Sequence, residues 1–111
     1  MHTYTPEKTV QAERLIALCA KAAGVKPLEG PVSVEVTAMF LVPNSWSKKR
    51  KAEANWHTAK PDADNIGKLM DSLNGIAYRD DAQVAELTVR KVYAAMEGIR
   101  IKLTQIGGED A

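Results

Sequence analysis

Lys60-Pro61-Asp62-Ala63-Asp64-Asn65-Ile66-Gly67-Lys68-Leu69-Met70-Asp71-Ser72-Leu73-Asn74-Gly75 is the stretch on which the reading of this chain turns. Proline holds its predecessor extended and cannot continue a strand ladder, so the chain is forced to turn at Lys60-Pro61. Beyond it, Ile66, Leu69, Met70 and Leu73 recur at three- and four-residue spacing, the period of an amphipathic helix. Asp62 or Asp64 can cap its start, and Asn74-Gly75 ends it. The spacing therefore predicts one helix over 62–73. Two aspartates stand two apart at its start, and Lys68 follows Asp64 by one turn on the same face. A second acidic pair, Asp80-Asp81, opens the next predicted strand. With Asp71, the region holds five of the fourteen acidic residues.

The flanks are legible by the same rules. Thr5-Pro6 is a cap followed by a proline at the first helical position. Val10, Leu15, Ile16, Leu18, Cys19 and Ala22 then mark the apolar face of a helix that Gly24 ends. Val32 to Val42 alternates at first, with Val32, Val34 and Val36 against Ser33, Glu35 and Thr37, which is a strand with one wet face. From Ala38 it is apolar on both faces, which places it in the middle of the sheet, and Pro43 stops it. Ser45 or Ser47 caps a short helix through Lys48–Ala54. Residues 55–60 read as an exposed loop. Val84, Leu87, Val89 and Val92 belong to a second strand, with a bulge at Ala85-Glu86-Leu87. Met96-Glu97-Gly98 reads as a hairpin turn into a last strand, Ile99–Ile106. The order α–β–α–α–β–β predicts an α+β domain with a three-stranded sheet packed against helices. One domain spans 1–106, and 107–111 is a frayed tail.

Composition narrows the class. At 111 residues the chain is the size of one domain, and 45% hydrophobic with 26% charged residues fits a soluble globular protein. No apolar run approaches the ~20 residues of a membrane span, and Met1-His-Thr-Tyr-Thr-Pro is not a secretory leader. A single cysteine, Cys19, excludes an internal disulfide and a Cys-rich zinc site, and points to a reducing, cytoplasmic setting. Net charge is +1, but residues 44–60 carry a local +4 from Lys48, Lys49, Arg50, Lys51 and Lys60 against Glu53. The positive charge thus lies immediately before the acidic cluster.

Two readings of the acids compete. Aspartate is favoured in a first helical turn, where it meets the positive end of the helix dipole. Asp80-Asp81 is harder to explain that way, because adjacent carboxylates repel and only Arg79 beside them is basic. A divalent cation would relieve the repulsion. Mg²⁺ takes oxygen ligands from a few carboxylates, water and substrate phosphate. It can activate water and stabilise a leaving 3′-oxygen, while Lys68 stabilises phosphoryl charge or protonates the leaving group.

Lys60-Pro-Asp-Ala-Asp-Asn-Ile-Gly-Lys68, Asp71-Ser-Leu-Asn-Gly75 and Asp80-Asp-Ala-Gln-Val84 together resemble the RusA family of Holliday-junction resolvases. The family pattern is Lys-Pro-Asp-x-Asp-Asn-x-x-Lys, Asp-x-Leu-Asn-Gly, Asp-Asp-x-Gln-Val, and each block stands at the family's spacing. Weaker agreement reaches Tyr4-Thr-Pro6, Pro43-x-Ser-Trp-Ser and the last two strands. The resemblance implies a RusA-like α+β fold and a homodimeric, Mg²⁺-dependent endonuclease, with Mn²⁺ as a substitute ion. It implies paired nicks across a four-way DNA junction, in recombination and repair. By position, Asp62, Asp64 and Asp81 look like catalytic, metal-binding aspartates and Lys68 like the essential lysine. Asp80 is the other half of the acidic pair and is counted with the metal ligands. Many relatives are encoded by prophages. Relatives also usually begin with a further strand bearing Gly-x-Pro and a basic run, whereas this sequence starts at Met1-His-Thr. The alternative expectation is therefore a junction-binding module impaired in catalysis. A ribonuclease-type domain acting on other nucleic acids is a third.

Lys48, Lys49, Arg50, Lys51 and Lys60 form the expected DNA-backbone surface, where phosphate contacts make binding salt-dependent. A solvated helix face is the plainer alternative for the run. Trp46 and Trp56 flank it, and either pack on the surface of the core or stack on unpaired bases. His57 reads as an exposed loop residue, and Asn65 as one that orients a carboxylate or caps a turn.

Overall fold

The computed structural model describes the backbone of residues 6–107 and side chains from residue 11 onward. The expected cap at Thr5, the side chain of Val10 and residues 108–111 of the expected tail lie outside the described residues. Helix α1 is Pro6–Ala22, strand β1 Val32–Phe40, helix α2 Lys48–Ala52 and helix α3 Ala63–Gly67. Strands β2, Val84–Tyr93, and β3, Gly98–Gln105, complete the fold. It is an α+β arrangement with a mixed sheet in the order β2-β1-β3.

β1 lies in the middle, as its two apolar faces predict. It pairs parallel with β2 and antiparallel with β3. Val32, Val34, Val36 and Ala38 point into the core with Ile66, Leu69, Leu73, Ala77 and Tyr78. The opposite face carries Glu35, which pairs with Arg90 at 3.1 Å and Lys102 at 3.9 Å across the two ladders. The expected bulge is present: Val32 pairs with Val84 but Ser33 pairs with Glu86, so Ala85 is the extra residue. The shift brings Ser33 within hydrogen-bonding distance of Glu86, its Oγ donating to Oε1 at 2.6 Å.

Three expectations are corrected. Residues 96–98 do not form a hairpin, because β2 and β3 are not neighbours; residues 94–97 cross the end of β1, where the Ala94 amide donates to the Phe40 carbonyl. The helix predicted over 62–73 is also not one α-helix. It is α from Ala63 to Gly67 and 3₁₀ from Lys68 to Leu73. Side-chain hydroxyls occupy carbonyls in this tighter stretch: Ser72 donates to Leu69 at 2.6 Å and Tyr78 to Met70 at 2.5 Å. Finally, the packed face of α1 is Ala12, Ile16 and Ala20, while Leu15 and Leu18 are 62% and 64% exposed and Cys19 is also exposed. The reason is geometric. α1 rests on the 68–73 segment and leaves an apolar cavity of about 680 Å³ that reaches β3.

Gly67 lets α3 approach β2. A Cβ there would lie 3.3 Å from both Leu87 Cδ2 and Val89 Cγ2. Gly67→Ala gains up to about 1 kcal/mol of helix propensity against that contact, whereas Gly67→Val adds branched bulk with nowhere to go. We expect Gly67→Val to lower unfolding free energy by about 1–3 kcal/mol, the usual range for overpacking, with Gly67→Ala much milder. Denaturant titration of the three proteins checks this ranking.

Candidate functional site

The residues singled out in the sequence occupy one long connection, from the end of β1 to the start of β2. Asp62 is the cap residue of α3, with extended backbone, yet its side chain makes no capping hydrogen bond. It pairs instead with Lys60 Nζ, at 3.1 Å to Oδ1 and 3.2 Å to Oδ2. Both side chains are about half exposed, so the pair contributes only about 0–1 kcal/mol and leaves Lys60 free to exchange partners.

Asp64 and Lys68 line a cavity of about 510 Å³ between the helical segment and β2, whose floor is Leu87 and Val89. No ion pair within 4 Å joins these two among the described residues. Asp71 lines the same cavity. In a 3₁₀ helix residues three apart stack in one column, which sets Asp71 over Lys68. Asp71 went without a role in the sequence reading, although Asp64, Lys68 and Asp71 at i, i+4 and i+7 share a helical face.

Asp80 and Asp81 do not open the strand directly. Asp81–Gln83 form a 3₁₀ turn that Asp80 caps, its Oδ1 accepting from the Ala82 amide at 3.0 Å. That amide, then the Asp81 carboxyl, hold the Asp80 carboxyl below the usual carboxylate range. Asp81 is pushed the other way, first by the hydrogen bond it shares with Asp80 and then by that with Asp71, with desolvation and the charges of the two neighbours adding to both. Tyr78 lies beneath them; burial, then the charges of Asp71 and Asp81, push its hydroxyl up to about 12. Asp71 is thus the link between the cavity of Asp64 and Lys68 and the acidic turn.

Gln83 is the second residue whose work the sequence did not disclose. Its Oε1 accepts from the amides of Arg79 at 2.8 Å and Asp80 at 3.3 Å. Its Nε2 donates to the carbonyls of Leu28 and Gly30, each at 3.0 Å. All four hydrogen-bonding positions of the amide are used, fastening the acidic turn to the loop that leads into β1. A glutamine three residues after a capping aspartate is the signal of a capping box.

Among the described residues, no three acidic, histidine or cysteine side chains converge as a closed metal cage. The donor set nevertheless suits a hard divalent ion. Mg²⁺ is commonly held by only one or two carboxylates with water completing the shell. Asp80 and Asp71 raise the pKa of the Asp81 carboxyl, and a divalent cation beside it would act in the opposite direction. The fit is to a carboxylate pair plus water.

The basic face is α2. Ser47 caps it, accepting from the Arg50 amide at 3.1 Å, and Lys48, Lys49, Arg50 and Lys51 are all exposed. The Arg50 guanidinium lies 3.7 Å over the Trp46 ring, whose edge meets Tyr93. Residues 55–59 are not a free loop. Trp56 bridges to Val92, the His57 amide donates to Lys91, and Lys91 Nζ donates to the Ala59 carbonyl at 2.7 Å. His57 is half-buried rather than exposed, stacked on Phe40 at 3.8 Å.

The family model described as Endodeoxyribonuclease RusA matches residues 1–104. The chain is 33% identical over 114 aligned residues to the uncharacterized protein YqaN of Bacillus subtilis, covering 96% of this chain and 80% of that protein. It is 31% identical over 78 residues to the crossover junction endodeoxyribonuclease rusA of Lactococcus phage r1t, covering 68% of this chain and 56% of that protein. No solved structure matches.

His57 gives a pH dependence with a definite sign. Burial, then the nearby Lys91 charge, lower its pKa from the ordinary 6.5, and its Nδ1 is buried without a hydrogen-bond partner among the described residues. Below pH 6.5 the unfolded chain therefore binds the proton more readily than the folded one. Stability is fully present above that value and falls as pH drops through the folded pKa. Thermal melts from pH 8 to 5 should show this loss, and His57→Phe, which keeps a ring on Phe40, should lose less over the same interval.

Proposed function

The chain belongs to the RusA family of endodeoxyribonucleases, and from that premise we propose that it nicks opposing strands of four-way DNA junctions with the help of Mg²⁺ or Mn²⁺. The observation that carries the proposal is the grouping of Asp64, Lys68 and Asp71 on one cavity, with Asp71 reaching the Asp80-Asp81 turn. The relative from phage r1t bears the name of a crossover junction endodeoxyribonuclease.

In this reading two carboxylates from the set Asp62, Asp64, Asp80 and Asp81, with Asp71 added from the 3₁₀ segment, hold the ion, and water completes its shell. A bound divalent ion there supplies Lewis-acid stabilisation of the charge that develops at a phosphodiester. Lys68, exposed beside Asp64 and Asp71, holds positive charge toward the phosphoryl oxygens and can give a proton to the leaving 3′-oxygen. Asp62 keeps Lys60 close to the cluster. The lysines of α2 hold the DNA backbone without reading its sequence, because phosphate contacts position a duplex rather than specify it. Recombination and repair are the processes in which such a resolvase acts.

Paired nicks on opposing strands call for two sites, and a homodimer supplies them. The apolar cavity between α1 and β3, with Leu15 and Ile99 exposed on it, suits burial against a second copy. Leu15→Glu is expected to shift the mass measured by light scattering from two chains toward one.

The central experiment is cleavage of a synthetic four-way junction with Mg²⁺. Asp64→Asn and Lys68→Ala should each slow nicking by roughly 10²–10³-fold, with Asp71→Asn also impaired and junction binding in EDTA retained. Undiminished cutting by Asp64→Asn would falsify the assignment. Junction binding without nicking by the wild type would favour the binding-module alternative.

A further inference from the structure

We propose that the cleft between α2 and the end of β2 is a nucleobase subsite, in which Trp56 stacks on one unstacked nucleotide of the DNA substrate. The inference rests on the reading of this chain as a junction nuclease, and adds the chemistry of a second contact. The cleft is a cavity of about 520 Å³, within the roughly 300–1,000 Å³ of ligand sites. Trp46, Trp56 and Tyr93 supply its aromatic wall, and Lys49 and Arg50, against the single acid Glu53, make its rim net cationic.

The two tryptophans are in different situations. Trp46 is half-buried, with Arg50 over its face and Tyr93 at its edge, so its interactions are already made within the fold. Trp56 is 60% exposed, the largest side chain among the exposed hydrophobics. Its backbone is nevertheless fixed, with the Tyr93 amide donating to Asn55 at 2.8 Å and the His57 amide donating to Lys91 at 2.9 Å. A rigidly placed but uncovered indole beside a cationic helix is complementary to one occupant: a flat, π-faced base carried on a phosphate chain. A duplex offers no such face, because its bases are stacked. Val92, opposite Trp56, lies three residues beyond Val89, the nearer floor residue of the acidic cavity, roughly 10 Å along the strand. The cleft is therefore separate from the site of phosphodiester chemistry and sits on the same strand.

Trp46→Phe leaves Trp56 as the sole tryptophan, and its fluorescence in EDTA reads the contact without cleavage. Quenching by single-stranded oligothymidylate and by a four-way junction, with much weaker quenching by an unbroken duplex, is expected. Trp56→Ala should weaken oligothymidylate binding by about 5- to 100-fold, as loss of one stacked base does, and Trp56→Phe should restore most of it. Lys49→Ala should instead weaken single-stranded and duplex DNA alike. Equal quenching by duplex, or oligothymidylate affinity unchanged in Trp56→Ala, overturns the proposal. Junction cleavage with no Trp56 effect would sink this inference alone. A Trp56 effect without cleavage would sink the nuclease reading and leave the subsite standing.

Discussion

The parallel pairing of β1 with β2 is the constraint on which the rest of the structure depends. Antiparallel neighbours can be joined by two residues, but parallel ones need a long crossover. Here the crossover is residues 41–83, and every acidic and basic residue of the candidate site lies within it. The basic helix α2, the aromatic segment 55–59, α3 with its 3₁₀ extension, and the acidic turn follow one another along that connection. Its two ends lie at opposite ends of the strand pair, since Phe40 stands beside Tyr93 and Val84 beside Val32. The side chains between must then fold back onto β2, which they do at Gly67 and at Trp56.

Charge is partitioned along the same connection. The chain has a net charge of only +1, so long-range attraction to DNA is weak for the molecule as a whole. Local fields decide instead. α2 presents four cations with no acidic residue inside the helix, while the carboxylates of Asp71, Asp80 and Asp81 crowd one another at the far end of β2. A phosphate backbone is drawn to the first region and repelled by the second unless a cation intervenes. In the proposed function, attachment and chemistry are in that sense separate demands on separate elements.

Much of this was legible in the sequence because its signals were local. Pro43, Ser47, Pro61 and Gly75 punctuate the chain, and the valines of β1 announce a strand with a buried face. The bulge at Ala85 showed as a break in alternation. What was not legible depends on partners distant in sequence. The 62–73 helix tightens where Tyr78 and Ser72 supply hydroxyls to its carbonyls, which no helical periodicity encodes. The order β2-β1-β3 cannot be read from two strands separated by a short turn, for which a hairpin is the simpler inference. Asp71 joins the acids only through the fold of the 78–83 segment back toward it. The α1 periodicity does not separate packed from open positions: Leu15 lines the open apolar cavity and Leu18 is exposed, while the contact itself is made by Ala12, Ile16 and Ala20.

Gln83 has a consequence for how the molecule breathes. Native proteins open in cooperative pieces, and segments with few buried contacts open most readily. An exposed acidic turn at a strand's start would ordinarily be such a piece. Here the same amide closes the turn on Arg79 and Asp80 and grips Leu28 and Gly30, fifty-odd residues earlier. The turn cannot fray without releasing the approach to β1, the strand that holds the sheet together. Opening of the acidic corner is thereby coupled to the approach to the central strand, since both share the hydrogen bonds of one side chain.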